Sequence, residues 1–193
     1  MRSVIVSNLM SVDGFMAGPG GEIDWFAGLA DREFEEYAVD LLDSIDTMLF
    51  GRVTYELMAS YWPTATTETD DARIIKAMNN CRKIVFSKTL DRADWKNSSL
   101  VKGDIAQEIR KLKIQPGKNM VIYGSGGLIS ALAPVGLIDE YRVFVAPLLL
   151  GEGRPLFREL GRRIPLRLVD SRTFGTGLVV QKYLPTHEKK EEG

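Results

Sequence analysis

Residues 120–129, Met-Val-Ile-Tyr-Gly-Ser-Gly-Gly-Leu-Ile, constrain the fold of this 193-residue chain more than any other stretch. An apolar run breaks into three glycines and a serine, and apolar residues then return at helical spacing. This pattern predicts a buried strand that enters a helix through a glycine-rich turn. Because glycines allow close approach to backbone N–H groups, and the first N–H groups of a helix lack partners, the turn is a candidate phosphate site. A turn without a ligand is the alternative.

The composition predicts one folded domain over residues 1–185, followed by a flexible charged tail at 186–193. Hydrophobic residues make up 45% of the chain and charged residues 26%, which is typical of globular proteins. With 25 basic and 26 acidic side chains, there is no basic surplus for nucleic acid or an anionic membrane. No apolar run reaches the roughly 20 residues of a membrane helix. A single cysteine, Cys81, fits a cytoplasmic protein.

Histidine usage excludes several mechanisms. The only histidine, His187, lies in the charged tail. Catalytic triads with histidine, cysteine–histidine pairs and histidine-rich zinc sites are therefore not expected, and we predict no metal.

The order of the predicted elements indicates an α/β fold. Strands are predicted at residues 3–10, 47–50, 82–87, 99–101, 120–123, 140–146, 166–174 and 178–183. Helices are predicted at residues 32–44 (with Asp31 as N-cap), 53–59, 72–79, 105–113 and 128–132. Early strands alternate with helices, which favours a mixed, mostly parallel sheet covered on both faces, and the last two strands form an antiparallel hairpin. Ligands of such sheets bind beyond the carboxyl ends of the strands.

Three turns that follow predicted strands carry groups suited to phosphate. Gly51, Arg52 and Thr54 offer backbone N–H groups, a guanidinium and a hydroxyl. Ser87 and Lys88 follow the next strand, and the glycine-rich turn follows a third. Each turn alone has an ordinary structural explanation, such as a surface ion pair. Together they predict a nucleotide cofactor spread along one edge of the sheet.

The same turns carry a family resemblance. Residues 50–56, Phe-Gly-Arg-Val-Thr-Tyr-Glu, resemble the Met-Gly-Arg-x-Thr-Trp-Glu segment of dihydrofolate reductases. Residues 84–88 and 121–127 are similar to the serine turn and the late glycine turn of those enzymes. Residues 11–17, Ser-Val-Asp-Gly-Phe-Met-Ala, resemble the opening of the riboflavin-biosynthesis reductase domain, the RibD C-terminal family. The resemblance spans almost the whole chain.

This resemblance implies a dihydrofolate-reductase-like α-β-α fold of three layers and an NADPH-dependent reductase. Gly51, Arg52 and Thr54 would hold the cofactor's phosphates, and Ser87 and Lys88 would face the adenosine 2′-phosphate. The pyrophosphate would lie in a cradle formed by Gly124, Ser125, Gly126 and Gly127, and Leu128 is a further candidate for cofactor binding. The loop from Leu9 through Met16 would cover the nicotinamide.

Hydride transfer also needs a proton and a wall for a flat substrate. The resemblance places an acid on the first long helix, where Glu35 and Glu36 occur, and the helical face favours Glu35. Asp13 is the other catalytic candidate, although an Asp-Gly pair is also a turn former. Trp25 and Tyr55 are candidates for substrate contact, with packing in the core as the alternative.

The chain departs from the riboflavin reductases at Met58, where their pattern has an aspartate. We therefore expect a small heterocyclic (pterin- or pyrimidine-like), carbonyl or imine substrate. The alternatives are a non-catalytic NADP(H)-binding or sensor protein and a dimeric scaffold. The apolar run 143–150 indicates a homodimer, or else a core strand and its turn.

Overall fold

The computed structural model describes residues 1–186 and confirms the predicted α/β fold. An eight-stranded mixed sheet lies between two layers of helices, in the order β5-β4-β3-β6-β1-β7-β10-β9. Most of the predicted charged tail, including His187, lies outside the described residues. Within residues 1–186, every helix is too short or too polar to cross a lipid bilayer.

The strands follow the predicted positions closely. Their bounds are β1 (Val4–Ser11), β2 (Phe15–Ala17), β3 (Ile45–Gly51), β4 (Arg82–Phe86), β5 (Ser98–Val101), β6 (Asn119–Tyr123), β7 (Glu140–Ala146), β8 (Arg154–Pro155), β9 (Leu166–Thr173) and β10 (Val179–Pro185). Strands β5, β4, β3, β6, β1 and β7 are all parallel, and β10 pairs antiparallel with both β7 and β9. The parallel strands therefore end at one edge of the sheet, which we call the carboxyl rim: Ser11 of β1, Gly51 of β3, Phe86 of β4 and Tyr123 of β6.

Five α-helices connect these strands. They are α1 (Arg32–Asp43), α2 (Arg52–Tyr61), α3 (Ala72–Asn80), α4 (Ile105–Lys113) and α5 (Gly126–Leu132), and two 3-10 helices span Asp24–Phe26 and Trp62–Thr64. An aspartate caps the N-terminus of α1, α3 and α4 by accepting a backbone N–H bond from the first turn. Asp31 caps α1 through Phe34, as the sequence predicts.

The two faces of the sheet bury separate apolar clusters. Helices α4 and α5 pack on one face, against residues such as Ile122 and Leu49. Helices α1, α2 and α3 pack on the other face, against residues such as Met48 and Val85. Because β-branched and long apolar side chains alternate between these faces, the central strands are buried on both sides.

A small second sheet was not predicted. Strand β2 pairs antiparallel with β8, although most of the sequence lies between the two strands. Both strands are too short to show the alternation of apolar and polar residues by which a strand is recognised in a sequence. This pair lies on the loops that leave β1 and β7 at the carboxyl rim.

Lys83 is fully buried at the start of β4. Its ammonium donates to the carbonyl oxygens of Asn79 (3.1 Å), Cys81 (2.9 Å) and Lys96 (3.2 Å), and it lies 4.1 Å from the ring centre of Trp95. Burial lowers the pKa of this ammonium from 10.5 to about 8. The side chain thus joins the end of α3 to the segment before β5.

This lowered pKa predicts a pH dependence of stability. Between about pH 8 and 10.5 the folded protein releases the Lys83 proton while the unfolded chain keeps it, so the free energy of unfolding should rise by about 1–3 kcal/mol. Urea unfolding of wild type and Lys83→Met at pH 7.5 and pH 10 measures the effect. The contributions of all other titrating groups cancel when the pH-dependent change in the free energy of unfolding of the variant is subtracted from that of wild type. An equal pH response in both proteins would contradict it.

Candidate functional site

The turns after β3 and β6 are joined directly at the carboxyl rim. The Gly51 N–H donates to Ser125 Oγ, with N and O 2.7 Å apart. The Ser125 N–H donates to Thr54 Oγ1 at 3.0 Å, and the two hydroxyl oxygens lie 3.2 Å apart. Thr54 is 9% exposed and Ser125 8% exposed. The predicted neighbours Gly51, Thr54 and Ser125 therefore belong to one hydrogen-bonded network.

Asn8 of β1 extends this network to a third strand, and sequence reasoning missed it. Its side-chain oxygen accepts the Gly124 N–H, and its amide nitrogen donates to the Gly124 carbonyl at 3.3 Å. Asn8 is 5% exposed. Buried polar side chains need specific partners, but the partner of Asn8 lies 116 residues away in the sequence, so no local pattern indicates this role.

The glycine-rich turn has a left-handed backbone at two successive residues. Gly124 has φ +58° and Ser125 has φ +57°. A Cβ on Gly124 would lie 2.7 Å from Thr54 Oγ1 and 2.8 Å from Thr54 Cγ2, so no larger side chain fits there. Next to it, a Cβ on Gly127 would meet no atom within 4 Å. The turn is therefore packed closely against α2 on one side and open on the other.

Two helices begin at this rim. Helix α2 starts at Arg52 and has no side-chain cap at Gly51, and α5 starts at Gly126. Their first N–H groups point away from the helix bodies and give the rim a partial positive charge. Leu128 does not contribute as predicted: its N–H donates to the Ser125 carbonyl at 2.8 Å, and its side chain is buried in the core. The Leu128 N–H is therefore already hydrogen-bonded within the first turn of α5.

An open groove of about 620 Å³ lies beside the start of α2. Arg52 and Glu56 line one wall, and the segment 89–94 after β4 lines the other. Arg92, on that segment, faces the same groove and was not predicted. Ser87 and Lys88 do not line the groove. Ser87 Oγ instead accepts the N–H groups of Thr89 and Leu90, so Ser87 shapes the turn, and Lys88 is exposed.

Both arginines of the groove are held by exposed carboxylates. Arg52 Nη1 lies 2.9 Å from Glu56 Oε2, one helical turn along α2. Arg92 Nε lies 2.8 Å from Asp94 Oδ2. Exposed ion pairs of this kind contribute about 0–1 kcal/mol to stability. An incoming anion can therefore replace the carboxylate at either guanidinium with little loss of free energy.

The loop after β1 covers the glycine-rich turn. A Cβ on Gly126 would lie 3.7 Å from Met16 Sδ and 3.4 Å from the Leu156 carbonyl oxygen. Met16 therefore lies over the start of α5. Leu9 lies deeper, paired with Phe144 in the sheet.

Leu9 and Trp25 belong to an aromatic cluster between α1 and β7. Phe144 and Phe174 form its centre, and Phe34 packs edge-on against both. The Trp25 indole nitrogen is buried and has no hydrogen-bond partner among residues 1–186. A buried donor without an acceptor favours a ligand or water at this position.

Tyr55, in contrast, is a core residue. It is 4% exposed, and its hydroxyl accepts the Trp95 N–H at 2.9 Å. Its ring packs between Phe50 and Trp95. This placement does not support the predicted contact between Tyr55 and a substrate, because the Tyr55 side chain is buried against the sheet.

The two candidate glutamates of α1 differ in their partners. Glu36 forms a double hydrogen bond with Arg73, at 3.0 and 2.8 Å, and this bond lowers the pKa of Glu36. The Glu35 side chain is partly buried and forms no hydrogen bond or ion pair with residues 1–186. Helix α1 ends where β3 begins, so its first turn, with Glu35, lies at the carboxyl rim.

The Asp13 carboxylate is fully engaged. It accepts hydrogen bonds from Ser11 Oγ (2.6 Å) and from the N–H groups of Leu150 (3.1 Å) and Gly151 (2.7 Å). The Ser11 bond, followed by the two backbone bonds, lowers the pKa of Asp13.

The sequence matches the profile of the RibD C-terminal domain over residues 2–180. The chain belongs to the RibD C-terminal domain family. This confirms the resemblance to that family that residues 11–17 carry.

Relatives in this family cover most of the chain. The uncharacterized protein YyaP of Bacillus subtilis is 36% identical over 178 residues, which is 92% of this chain and 92% of YyaP. The riboflavin biosynthesis protein RibD of Corynebacterium ammoniagenes is 26% identical over 148 residues. That match covers 74% of this chain and only 42% of RibD.

Solved structures share the fold. A Shewanella sp. PV-4 protein provisionally assigned to riboflavin biosynthesis has a TM-score of 0.74 and 25% identity, covering 96% of this chain and 99% of its own. Dihydrofolate reductase from Enterococcus faecalis, solved with NADP(H), has a TM-score of 0.63 and 15% identity, covering 96% and 97%. The dihydrofolate-reductase-like fold is thereby confirmed.

Proposed function

We propose that this protein is an NADPH-dependent reductase of a small heterocyclic, carbonyl or imine compound. One observation carries the proposal: the hydrogen bonds between Gly51, Thr54 and Ser125 hold two phosphate-competent turns together at the carboxyl rim. Family membership and the likeness to a reductase that binds NADP(H) support it. Pterin- or pyrimidine-like rings are the favoured substrates, because the solved structures that share the fold include a dihydrofolate reductase and a 5-amino-6-(5-phosphoribosylamino)uracil reductase.

The residues present fit a dinucleotide that carries a pyrophosphate and one further phosphate. The open side of Gly127 admits a pyrophosphate close to the backbone of the glycine-rich turn. The uncapped start of α2 adds unpaired N–H groups beside it. Arg52 and Arg92 in the groove suit the extra phosphate that distinguishes NADPH from NADH.

The bound cofactor supplies a hydride, and the chain positions the reactants and the proton. Met16, over the turn, excludes water from the covered end of the site. Glu35 is free to hold a ring nitrogen of the substrate or to supply a proton to it. The buried indole N–H of Trp25 is a second donor for a polar substrate atom.

Fluorescence titration with NADPH and NADH tests the proposal. NADPH should bind in about the micromolar range, and more tightly than NADH. Absence of binding by either nucleotide would remove the proposal.

A non-catalytic NADP(H)-binding or sensor protein is the second candidate, favoured by the engagement of Asp13 in a structural role. Oxidation of NADPH with dihydrofolate or a ribosylaminopyrimidine distinguishes the two. Sustained turnover that is lost in Arg52→Ala would eliminate the sensor, whereas tight binding with no turnover of any tested ring would favour it.

Arg52→Ala should weaken NADPH binding about 10- to 100-fold and leave NADH binding nearly unchanged. A charge-assisted hydrogen bond to a phosphate contributes about 1.5–3 kcal/mol, whereas the exposed Glu56 pair contributes little to folding. Arg82→Ala is the matched control, because Arg82 is exposed at the opposite end of β4. Equal losses for both nucleotides would show that Arg52 does not contact the extra phosphate.

The predicted homodimer remains a proposal. Of the run that motivated it, Val143, Phe144 and Ala146 are buried in β7, so this part is a core strand. Leu149 is 72% exposed in the following loop.

A further inference from the structure

Asp13 connects two loops that are far apart in the sequence. We call residues 11–17 the entry segment and residues 148–156 the exit segment. The Asp13 carboxylate accepts the N–H groups of Leu150 and Gly151, at 3.1 and 2.7 Å, and the Ser11 hydroxyl at 2.6 Å. Gly151 has φ +78°, a conformation that favours glycine and presents its N–H to the carboxylate.

Further bonds join the same two segments. The Val12 N–H donates to the Leu148 carbonyl at 2.9 Å, and the Leu156 N–H donates to the Gly14 carbonyl at 3.1 Å. Strand β2 of the entry segment pairs with β8 of the exit segment. Asp13 supplies the only side-chain bonds to the Leu150–Gly151 stretch among the described residues.

Both segments lie over the glycine-rich turn. Met16 of the entry segment and the carbonyls of Pro155 and Leu156 of the exit segment lie within 3.4–3.7 Å of where a Cβ of Gly126 would be. A loss of order in either segment would therefore uncover the start of α5.

The engagement of the carboxylate argues against a role as proton donor. Both Asp13 oxygens accept hydrogen bonds, and these bonds favour the ionised form. Because both oxygens are already bonded to Ser11, Leu150 and Gly151, the carboxylate is not available to bind and protonate a substrate atom.

We propose that Asp13 is a positioning residue: it latches the exit segment to the entry segment, so that both form a single cover over the glycine-rich turn. The Ser-x-Asp-Gly motif at residues 11–14 then has a defined task. Ser11 fixes the carboxylate, Asp13 binds the exit segment, and Gly14, with φ +90°, turns the chain back into β2. The effect on catalysis rests on the proposed function, whereas the latch itself does not.

Amide hydrogen exchange of the protein without nucleotide tests the latch directly. In Asp13→Ala the N–H groups of Leu150 and Gly151 should exchange about tenfold faster or more, because they lose their acceptor. Asp13→Asn, which keeps one acceptor oxygen, should give a smaller increase. Asp40→Ala, an exposed aspartate on α1, is the matched control and should change neither amide. Unchanged exchange at both amides in Asp13→Ala would overturn the latch.

Kinetics separate positioning from acid catalysis. In Asp13→Asn we expect a higher Kd for NADPH and a higher KM, with the pH profile of kcat unchanged. A loss of kcat with a displaced pH profile and normal exchange would identify Asp13 as the acid and overturn the proposal. If wild type fails to bind NADPH, the proposed function fails, and the exchange result still decides the latch.

Discussion

Replacing Glu35 by glutamine is expected to lower kcat/KM about 100- to 10,000-fold, while NADPH affinity stays near that of wild type. A positioned acid contributes about this factor to proton transfer, and glutamine keeps the shape of the side chain but cannot supply the proton. The Glu35 side chain has no partner among residues 1–186, so its replacement breaks no described ion pair. Steady-state oxidation of NADPH with an accepted ring substrate, together with nucleotide titration, measures both quantities.

Glu36→Gln is the matched control on the same helix. Glu36 is exposed and bound to Arg73, so its loss should affect activity by less than about twofold. If Glu36→Gln and Glu35→Gln reduce kcat/KM equally, or if neither does, Glu35 is not the proton source.

Gly124→Ala should weaken NADPH binding about 100-fold and also destabilise the protein. The left-handed backbone costs a non-glycine residue about 1–3 kcal/mol, and the new methyl group would press on the Thr54 side chain. Thr54 would then lose its hydrogen bond from Ser125, which holds the two turns together. Thermal unfolding should shift down by about 2–4 °C per kcal/mol lost.

Gly103→Ala is the control for this substitution. Gly103 has no positive φ, and a Cβ there would meet no atom within 4 Å. It should bind NADPH like wild type. If Gly124→Ala lowers the melting temperature but binds NADPH normally, the turn is structural and does not hold the cofactor.

The carboxyl rim could be predicted because the sequence patterns that specify its turns each lie within a short stretch of the chain. The apolar run before Gly124 and the glycines after it specify a strand, a turn and a helix within ten residues. The alternation of strands and helices then requires parallel strands, whose carboxyl ends meet at one edge. The sequence alone therefore predicts that Gly51 and Ser125 lie near each other.

Residues that depend on distant partners could not be found in this way. Asn8 and Arg92 reach the site only through the packing of β1 against β6 and of the 89–94 segment against α2. The pairing of β2 with β8 likewise depends on the exit segment returning over the entry segment. Local patterns carry no information on such contacts.

Two predicted residues take core positions for a related reason. Tyr55 and Leu128 follow their motifs on α2 and α5, and helical periodicity turns their side chains to the sheet. A motif in the sequence marks a segment, whereas the helix decides which of its residues face the ligand.

A crystal structure of the protein with NADP⁺ would show whether the turns at the carboxyl rim bind the cofactor. We expect the pyrophosphate within hydrogen-bond distance of the N–H groups at 124–127, and the 2′-phosphate between Arg52 and Arg92. A nucleotide bound elsewhere, or one whose pyrophosphate lies away from the network of Gly51, Thr54 and Ser125, would contradict this expectation.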